Sequence, residues 1–291
     1  MLLPNLINNY YTAYGRFDKG ETQAMLLDVF RLDGKVAIVT GAGKGIGKSI
    51  AISFGEVGAT VVCVARSIED IEDTAEKIRA AGGNAHALAC DVTKEDQLKT
   101  VVGQVLETYN VIDILINNAG APGRGWGTIE EVDMSRFEHT MRINLTSAYT
   151  LTHLCTSALR ASNGTIVNVS SALSWMVDKN FSAYAAAKAG MNQMTKVMSY
   201  ELSPGVRVNA VAPGAIETPS LKFITSNPKL KAEAERWIPL QRLGQPEDIA
   251  LGVLYLASPA SSFVSGKIIE IDGGMQALPG SAIQDVIARG E

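Results

Sequence analysis

A chain of 291 residues and 31.0 kDa is long for one hydrophobic core, yet within the range of a single α/β domain. Its formal net charge of −4 supplies no basic stripe to follow a phosphate backbone, which argues against nucleic acid as a partner. No apolar run reaches eighteen residues, so no membrane span is expected.

Residues 1–30 carry Tyr10, Tyr11, Tyr14 and Phe17 without a sustained period and read as an N-terminal extension. The opening MLLPNLINNYYTAYGRF lacks a basic n-region, a long apolar stretch and a small-residue cleavage site, so the expectation is a cytoplasmic protein. From Lys35 the pattern becomes regular. KVAIVT (35–40) is a β-branched run of the kind covered on both faces of a parallel sheet. A glycine-rich turn and a helix follow, then a second strand, TVVCVA (60–65). Ile68, Ile71, Ala75 and Ile78 recur at helical spacing within 67–83, which closes on glycines suited to a helix C-cap. AHALACD (85–91) predicts a third strand, 94–109 a helix with an acidic first turn, and IDILINNAG (112–120) a fourth strand.

One long helix is expected over 134–160, then a strand in GTIVNVSS (164–171) and a helix over 182–202. VRVNAVAPG (206–214), PEDIALGVLYLAS (246–258) and GKIIEIDGG (266–274) complete the series as strand, helix and strand. Strict alternation predicts one doubly wound α/β domain over 31–275 with a seven-stranded parallel sheet, followed by a tail at 276–291. The stretches 121–127 and 213–240 follow strand C-termini, where open α/β sheets bind ligands. Cys63, Cys90 and Cys155 form no CxxC pair and read as buried thiols of a reducing compartment. His86, His139 and His153 have no metal-ligand spacing, and no metal is expected.

TGAGKGIG (40–47) joins the first strand to its helix. Glycines at 41, 45 and 47 allow a sharp turn and close approach of backbone to a pyrophosphate, with the helix's free N–H groups aimed at it. The spacing is GxxxGxG, without the GK[ST] ending of an ATP-binding loop. In such a βαβ unit an acid about twenty residues on binds the NAD ribose, whereas an arginine accommodates the 2′-phosphate of NADP. Here Ala65 stands eighteen residues beyond Gly47 and Arg66 follows it. With Lys44 in the turn as a second cation, the pattern favours NADP(H) over NAD(H).

Tyr184 and Lys188 in YAAAK share one helical face at i, i+4 spacing. A neighbouring ammonium would lower a phenol pKa toward a usable acid/base range. YAAAK alone is also simply a good helical sequence, but Ser171 stands thirteen residues upstream at a strand end. TGAGKGIG, NNAG (117–120), Asn144 in RINLT, Ser171, YAAAK and PGAIET (213–218) together resemble the short-chain dehydrogenase/reductase family, over roughly residues 30–275.

That resemblance implies an oxidoreductase interconverting a secondary alcohol and a ketone. It makes Tyr184 the proton donor or acceptor at the substrate oxygen and Ser171 the group that orients and polarises that oxygen. Lys188 holds the nicotinamide ribose and tunes Tyr184, while Asn144 holds a water in a proton relay. The cofactor-binding residues it implies are Gly41, Lys44, Gly45, Ile46, Gly47, Arg66, Ser67, Asp91, Val92, Asn118, Tyr184, Lys188, Pro213, Gly214, Ile216 and Thr218. Assembly as a homotetramer through 134–160, 182–202 and the last helix and strand is implied likewise.

RLDGKVAIVTGAGKGIGKSIAISF, PGAIETPSLK and RLGQPEDIA look most like the bacterial 7α-hydroxysteroid dehydrogenases of that family. A lid over roughly 215–240 offers Leu221, Phe223, Ile224 and Trp237 to a large flat substrate, unless these are helix packing. Arg124 and Trp126 stand at the cleft mouth, Arg124 either facing a substrate carboxylate or exposed to solvent. Those steroid enzymes often carry an acid where this chain has Ala65, and the N-terminal extension is atypical of them. Two other readings remain open: a β-ketoacyl-thioester reductase, and a non-catalytic NADP-binding sensor on the same fold.

Overall fold

A computed structural model describes residues 27–275; residues 1–26 of the expected extension and the tail 276–291 lie outside the described residues. Seven strands form one sheet: β1 Val36–Thr40, β2 Thr60–Ala65, β3 Asn84–Ala89, β4 Ile114–Asn117, β5 Thr165–Val169, β6 Arg207–Pro213 and β7 Ile268–Ile271. They lie in the order β3-β2-β1-β4-β5-β6-β7, and all six neighbouring pairs are parallel. The expected seven-stranded parallel sheet is therefore present. Strand order reverses between β1 and β4, the position at which doubly wound sheets open a crevice beyond their C-terminal ends.

The helices are α1 Gly45–Glu56, α2 Ile68–Ala80, α3 Glu95–Tyr109, α4 Met134–Met141, α5 Ser147–Ser162, α6 Ser182–Glu201, α7 Lys222–Thr225, α8 Pro228–Trp237 and α9 Pro246–Ala257. The inner strands bury both faces, which explains their unbroken apolar runs, whereas the edge strands β3 and β7 are partly exposed. Ala37 and Val39 of β1 face Ile50, Phe54, Ile71, Ile78, Ile249 and Val253 of α1, α2 and α9. Val36 and Ile38, one residue out of phase, face Leu98, Val105, Leu151, Leu159 and Met198 of α3, α5 and α6. Each such large apolar side chain contributes ~1.5–3 kcal/mol on full burial.

Helix ends are set by local chemistry. Ser67 Oγ accepts from Asp70 N at the start of α2, and Gly82 beyond its end takes φ +87°. Asp133 caps α4 and Asn227 caps α8 in the same way.

One element differs from expectation. The long helix predicted over 134–160 is α4 and α5 joined by a π-helical turn, Arg142–Thr146. One extra residue per turn is spent there, and Asn144 sits in the middle of it, fully buried. Apolar periodicity does not register an insertion that leaves both flanks helical.

Candidate active site

The crevice is built at the ends of β1, β4, β5 and β6. Thr40, the last residue of β1, donates from Oγ1 to the Ile116 carbonyl and accepts the backbone N–H groups of Asn118 and Ala119. The Asn118 amide donates to Thr40 O at 2.8 Å. These bonds tie the two strands together at the switch point. Thr40 is missing from the sequence-based site, although the residue before the first glycine was the available signal.

Gly41 takes φ +67°, and a Cβ there would lie 2.7 Å from the Asn118 amide nitrogen. A Cβ on Gly47 would collide with the Gly41 carbonyl and with Asn118. The turn thus closes backbone against backbone. Lys44 precedes α1 without a side-chain cap, and no acid stands in the first turn of α1. The first N–H groups of that helix have no partner within it, and no side chain competes for them. Backbone turn, open helix end and the cations beside it match the donor set a dinucleotide pyrophosphate needs. Thr218 reaches this turn from the far end of the chain, its methyl 3.1 Å from where a Gly45 Cβ would stand. Ile46 is part-buried on the core beneath.

At the tip of β2, Arg66 is exposed and Ser67 is committed to capping α2. Lys44, expected as a second cation for the 2′-phosphate, is paired with Asp70 at 2.8 Å. Asp91, just beyond β3, accepts from the backbone and hydroxyl of Thr93. Burial pushes its carboxyl up, but the Thr93 bonds and the Arg66 charge outweigh burial and hold it below the usual range. Val92 is buried beside a groove of about 680 Å³ that Leu98, Met134, Phe137, Met141 and Ser147 help to wall. That groove does not include the polar cluster described next.

Ser171 follows β5 and begins a short 3₁₀ turn, its Oγ accepting from Leu173 N. Tyr184 and Lys188 lie on the first turns of α6. Ser171 stands near enough to the Tyr184 phenol to lower its pKa, and the Lys188 ammonium stands 5.7 Å from the Tyr184 ring centroid. The three predicted residues therefore converge. Lys188 is 2% exposed and donates to the Val169 carbonyl at 2.7 Å. Burial pushes the Tyr184 phenol up to about 12, with Ser171 pulling the other way. Burial lowers Lys188 to about 7. The expected lowering of the phenol by the ammonium is thus not what the chain's own groups produce. Desolvation penalises both charged forms and dominates.

Asn144 is also placed beside this cluster. Its Oδ1 accepts from Ala121 N, and its Nδ2 donates to the Ala121 and Thr140 carbonyls. It grips both backbone groups of Ala121, one residue beyond NNAG. Behind the cluster, Asn117 donates to Asn168 and Thr152, and Asn168 donates to Thr195, a buried polar chain through β4, β5, α5 and α6. None of that chain was marked as functional from sequence. It fixes the strand ends that carry the site.

The segment after β6 closes the other side. Gly214 N donates to Ile271 O, and Ile216 bridges Gly244. Pro213 ends β6 in the interior. In the expected lid, Ile224 is buried with Ala172, Met176, Leu230 and Ile238, whereas Phe223 and Trp237 are 58% and 42% exposed. Half of the proposed apolar surface is therefore helix packing. Arg124 and Trp126 are both exposed, and Arg136 donates to the carbonyls of Arg124, Trp126 and Glu131.

A family model described as enoyl-(acyl carrier protein) reductase matches residues 41–276. The 7alpha-hydroxysteroid dehydrogenase of Escherichia coli (strain K12) is 36% identical over 249 residues, 85% of this chain and 96% of that one. The chain belongs to the short-chain dehydrogenase/reductase family. Another member, the 3-oxoacyl-[acyl-carrier-protein] reductase of Thermotoga maritima, is 38% identical over 247 residues, 84% of this chain and 99% of that one. A solved 7α-hydroxysteroid dehydrogenase complexed with NADH and 7-oxo glycochenodeoxycholic acid superposes with a TM-score of 0.81. It is 37% identical and covers 85% of this short-chain dehydrogenase/reductase and 96% of its own chain. This chain is thus an oxidoreductase of the type acting on CH–OH groups. No described helix is long and apolar enough to cross a membrane, and no His/Cys/Asp/Glu group among the described residues could hold a metal ion.

Proposed function

We propose that this protein is an NADP(H)-dependent reductase or dehydrogenase that interconverts a secondary alcohol and a ketone, with a hydroxysteroid as substrate. The observation that carries the chemistry is the convergence of Ser171, Tyr184 and Lys188 beyond the switch point. When bound, the nicotinamide supplies or accepts the hydride. Tyr184 gives its phenolic proton to the carbonyl oxygen during reduction, or takes it back during oxidation. Ser171 donates a hydrogen bond to the same oxygen and steadies the charge developing on it. Lys188, held at Val169 O, would hold the nicotinamide ribose and restore the proton on Tyr184. Asn144 holds Ala121 so that the wall opposite Tyr184 keeps its shape.

The cofactor would lie across Gly41, Gly45, Ile46 and Gly47, with its adenosine toward Asp91 and Val92. Asn118, Pro213, Gly214, Ile216 and Thr218 would line its nicotinamide half. Arg66 and Lys44 support NADP(H), because Ala65 places no carboxylate where a 2′-phosphate would be repelled. The solved steroid dehydrogenase was complexed with NADH, so the preference rests on these residues of this chain. Exposed Tyr149 on α5 and Tyr200 on α6 support a homotetramer built through those helices, and the three buried free thiols suit a reducing cytoplasm.

The similarity to the 3-oxoacyl reductase favours a second reading, a β-ketoacyl-thioester substrate on the same catalytic groups. A non-catalytic sensor has no need of Ser171, Tyr184 and Lys188 in register. Oxidation and reduction of bile acids, sterols and acetoacetyl thioesters with both nicotinamide pairs tests the assignment. Turnover of a hydroxysteroid or ketosteroid with NADP(H) is expected. Turnover of the thioester alone would move the assignment to the second reading, and no turnover of any carbonyl would move it to the third.

A further inference from the structure

Of the two cations expected to receive a 2′-phosphate, Lys44 is not idle. Lys44 Nζ lies 2.8 Å from Asp70 Oδ2, with the two side chains 63% and 32% exposed. Asp70 belongs to the first turn of α2, where its backbone N–H donates to Ser67 Oγ at 3.3 Å. The glycine turn leans directly on it: a Cβ at Gly43 would lie 2.8 Å from the Asp70 Cβ. Asp70 is therefore in contact with the turn that carries Lys44, and it lies four residues beyond Arg66 in sequence. Its neighbour Lys48 is already engaged with Asp73 at 2.6 Å. Lys44 is therefore the basic partner that Asp70 holds.

We infer that Asp70 is a specificity-setting residue, a built-in carboxylate that a 2′-phosphate must displace from Lys44. This rests on the NADP(H) reading of Arg66 and Lys44. An exposed ion pair is weak, so a dianion with better geometry can take the lysine over. The exchange costs the phosphate part of its attraction to Lys44, and it leaves Asp70 facing a second anion. NAD(H), with a neutral 2′-hydroxyl, makes no such exchange. Asp70 thus moderates the preference for NADP(H) without touching the reacting atoms. Its other role, an acid at the positive end of α2, is the ordinary one for this position and is insensitive to which cofactor binds.

Calorimetric titration of wild type, Asp70→Asn, Lys44→Met and the double variant with NADPH, NADH, adenosine 2′,5′-bisphosphate and AMP tests the exchange. The expected result for Asp70→Asn is NADPH and the bisphosphate bound roughly three- to tenfold tighter, with NADH and AMP within about twofold of wild type. In the Lys44→Met background that gain should fall by more than half. Equal changes for phosphorylated and unphosphorylated ligands, no change for either, or an undiminished gain without Lys44 would each overturn the inference. A wild type that binds NADH far more tightly than NADPH defeats the cofactor reading instead, since the effect of Asp70→Asn on the bisphosphate is read independently. Thermal melting of the unliganded variants separates a weakened α2 from a changed pocket.

Discussion

Lys188 illustrates what a buried ammonium costs the fold. Its ammonium is buried with one carbonyl acceptor and the Met191 sulfur 4.0 Å away, and burial lowers it from an ordinary 10.5 to about 7. Between those two values the unfolded chain binds more protons than the folded one, so this group makes stability rise with pH from about 7 toward 10.5. Lys188→Met should therefore melt roughly 5 °C above wild type near pH 7, and the gap should narrow by pH 9. Melting curves across that range check it; a variant less stable than wild type at pH 7 would contradict the burial argument. Tyr184→Phe tests the chemistry separately. Carbonyl reduction should fall by ~10²–10⁴-fold while the cofactor Kd stays within a few-fold, as measured by steady-state kinetics and cofactor fluorescence. The convergence of Ser171, Tyr184 and Lys188 was readable from spacing in the chain. Their pKa directions were not, because periodicity places two groups on one helical face but does not report how much water reaches them.

Among the elements, α4 with its π turn acts as a clamp. Asn144 holds Ala121 at the inner end of the loop beyond β4, and Arg136 holds the carbonyls of Arg124, Trp126 and Glu131 at its outer end. Both come from one helical element, so the loop's position follows that of the helix. Arg136 is a positioning residue in this view. Arg136→Ala should raise KM for substrate about tenfold with kcat changed less than threefold, and Arg136→Lys should recover little, since an ammonium cannot span three carbonyls. A drop confined to kcat would argue against it. The lid is divided in the same way by packing: Ile224 and Leu230 anchor α7 and α8 against Met176, leaving Phe223 and Trp237 outward. The sequence offered four apolar lid residues as equals, and only the packed hairpin separates anchor from surface.

For the molecule as a whole, the proposed cofactor site couples ligand binding to folding. The glycine turn, the end of β4 and the segment after β6 belong to different parts of the chain, and Thr218 meets Gly45 across all of them. A ligand spanning them binds only the folded state. At a hundredfold excess over its Kd, NADPH should stabilise by ~2.7 kcal/mol and raise Tm by about 5–10 °C. Tyr184→Phe should retain that rise and Gly47→Ala should lose most of it, as differential scanning fluorimetry would show. An equal rise in Gly47→Ala would mean that the cofactor does not use this turn.

The sequence by itself determined the alternation of strands and helices, the parallel sheet, the glycine turn and the family. Those features are written in local patterns: β-branched runs, glycine spacing and the i, i+4 pair on α6. Tertiary structure alone decided three matters. It inserted the π turn that centres Asn144, it set the protonation tendencies of Tyr184 and Lys188 by excluding water, and it gave Lys44 a carboxylate partner from α2. Each depends on groups far apart in sequence, or on burial, and neither distance in space nor solvent exclusion is encoded in a local period.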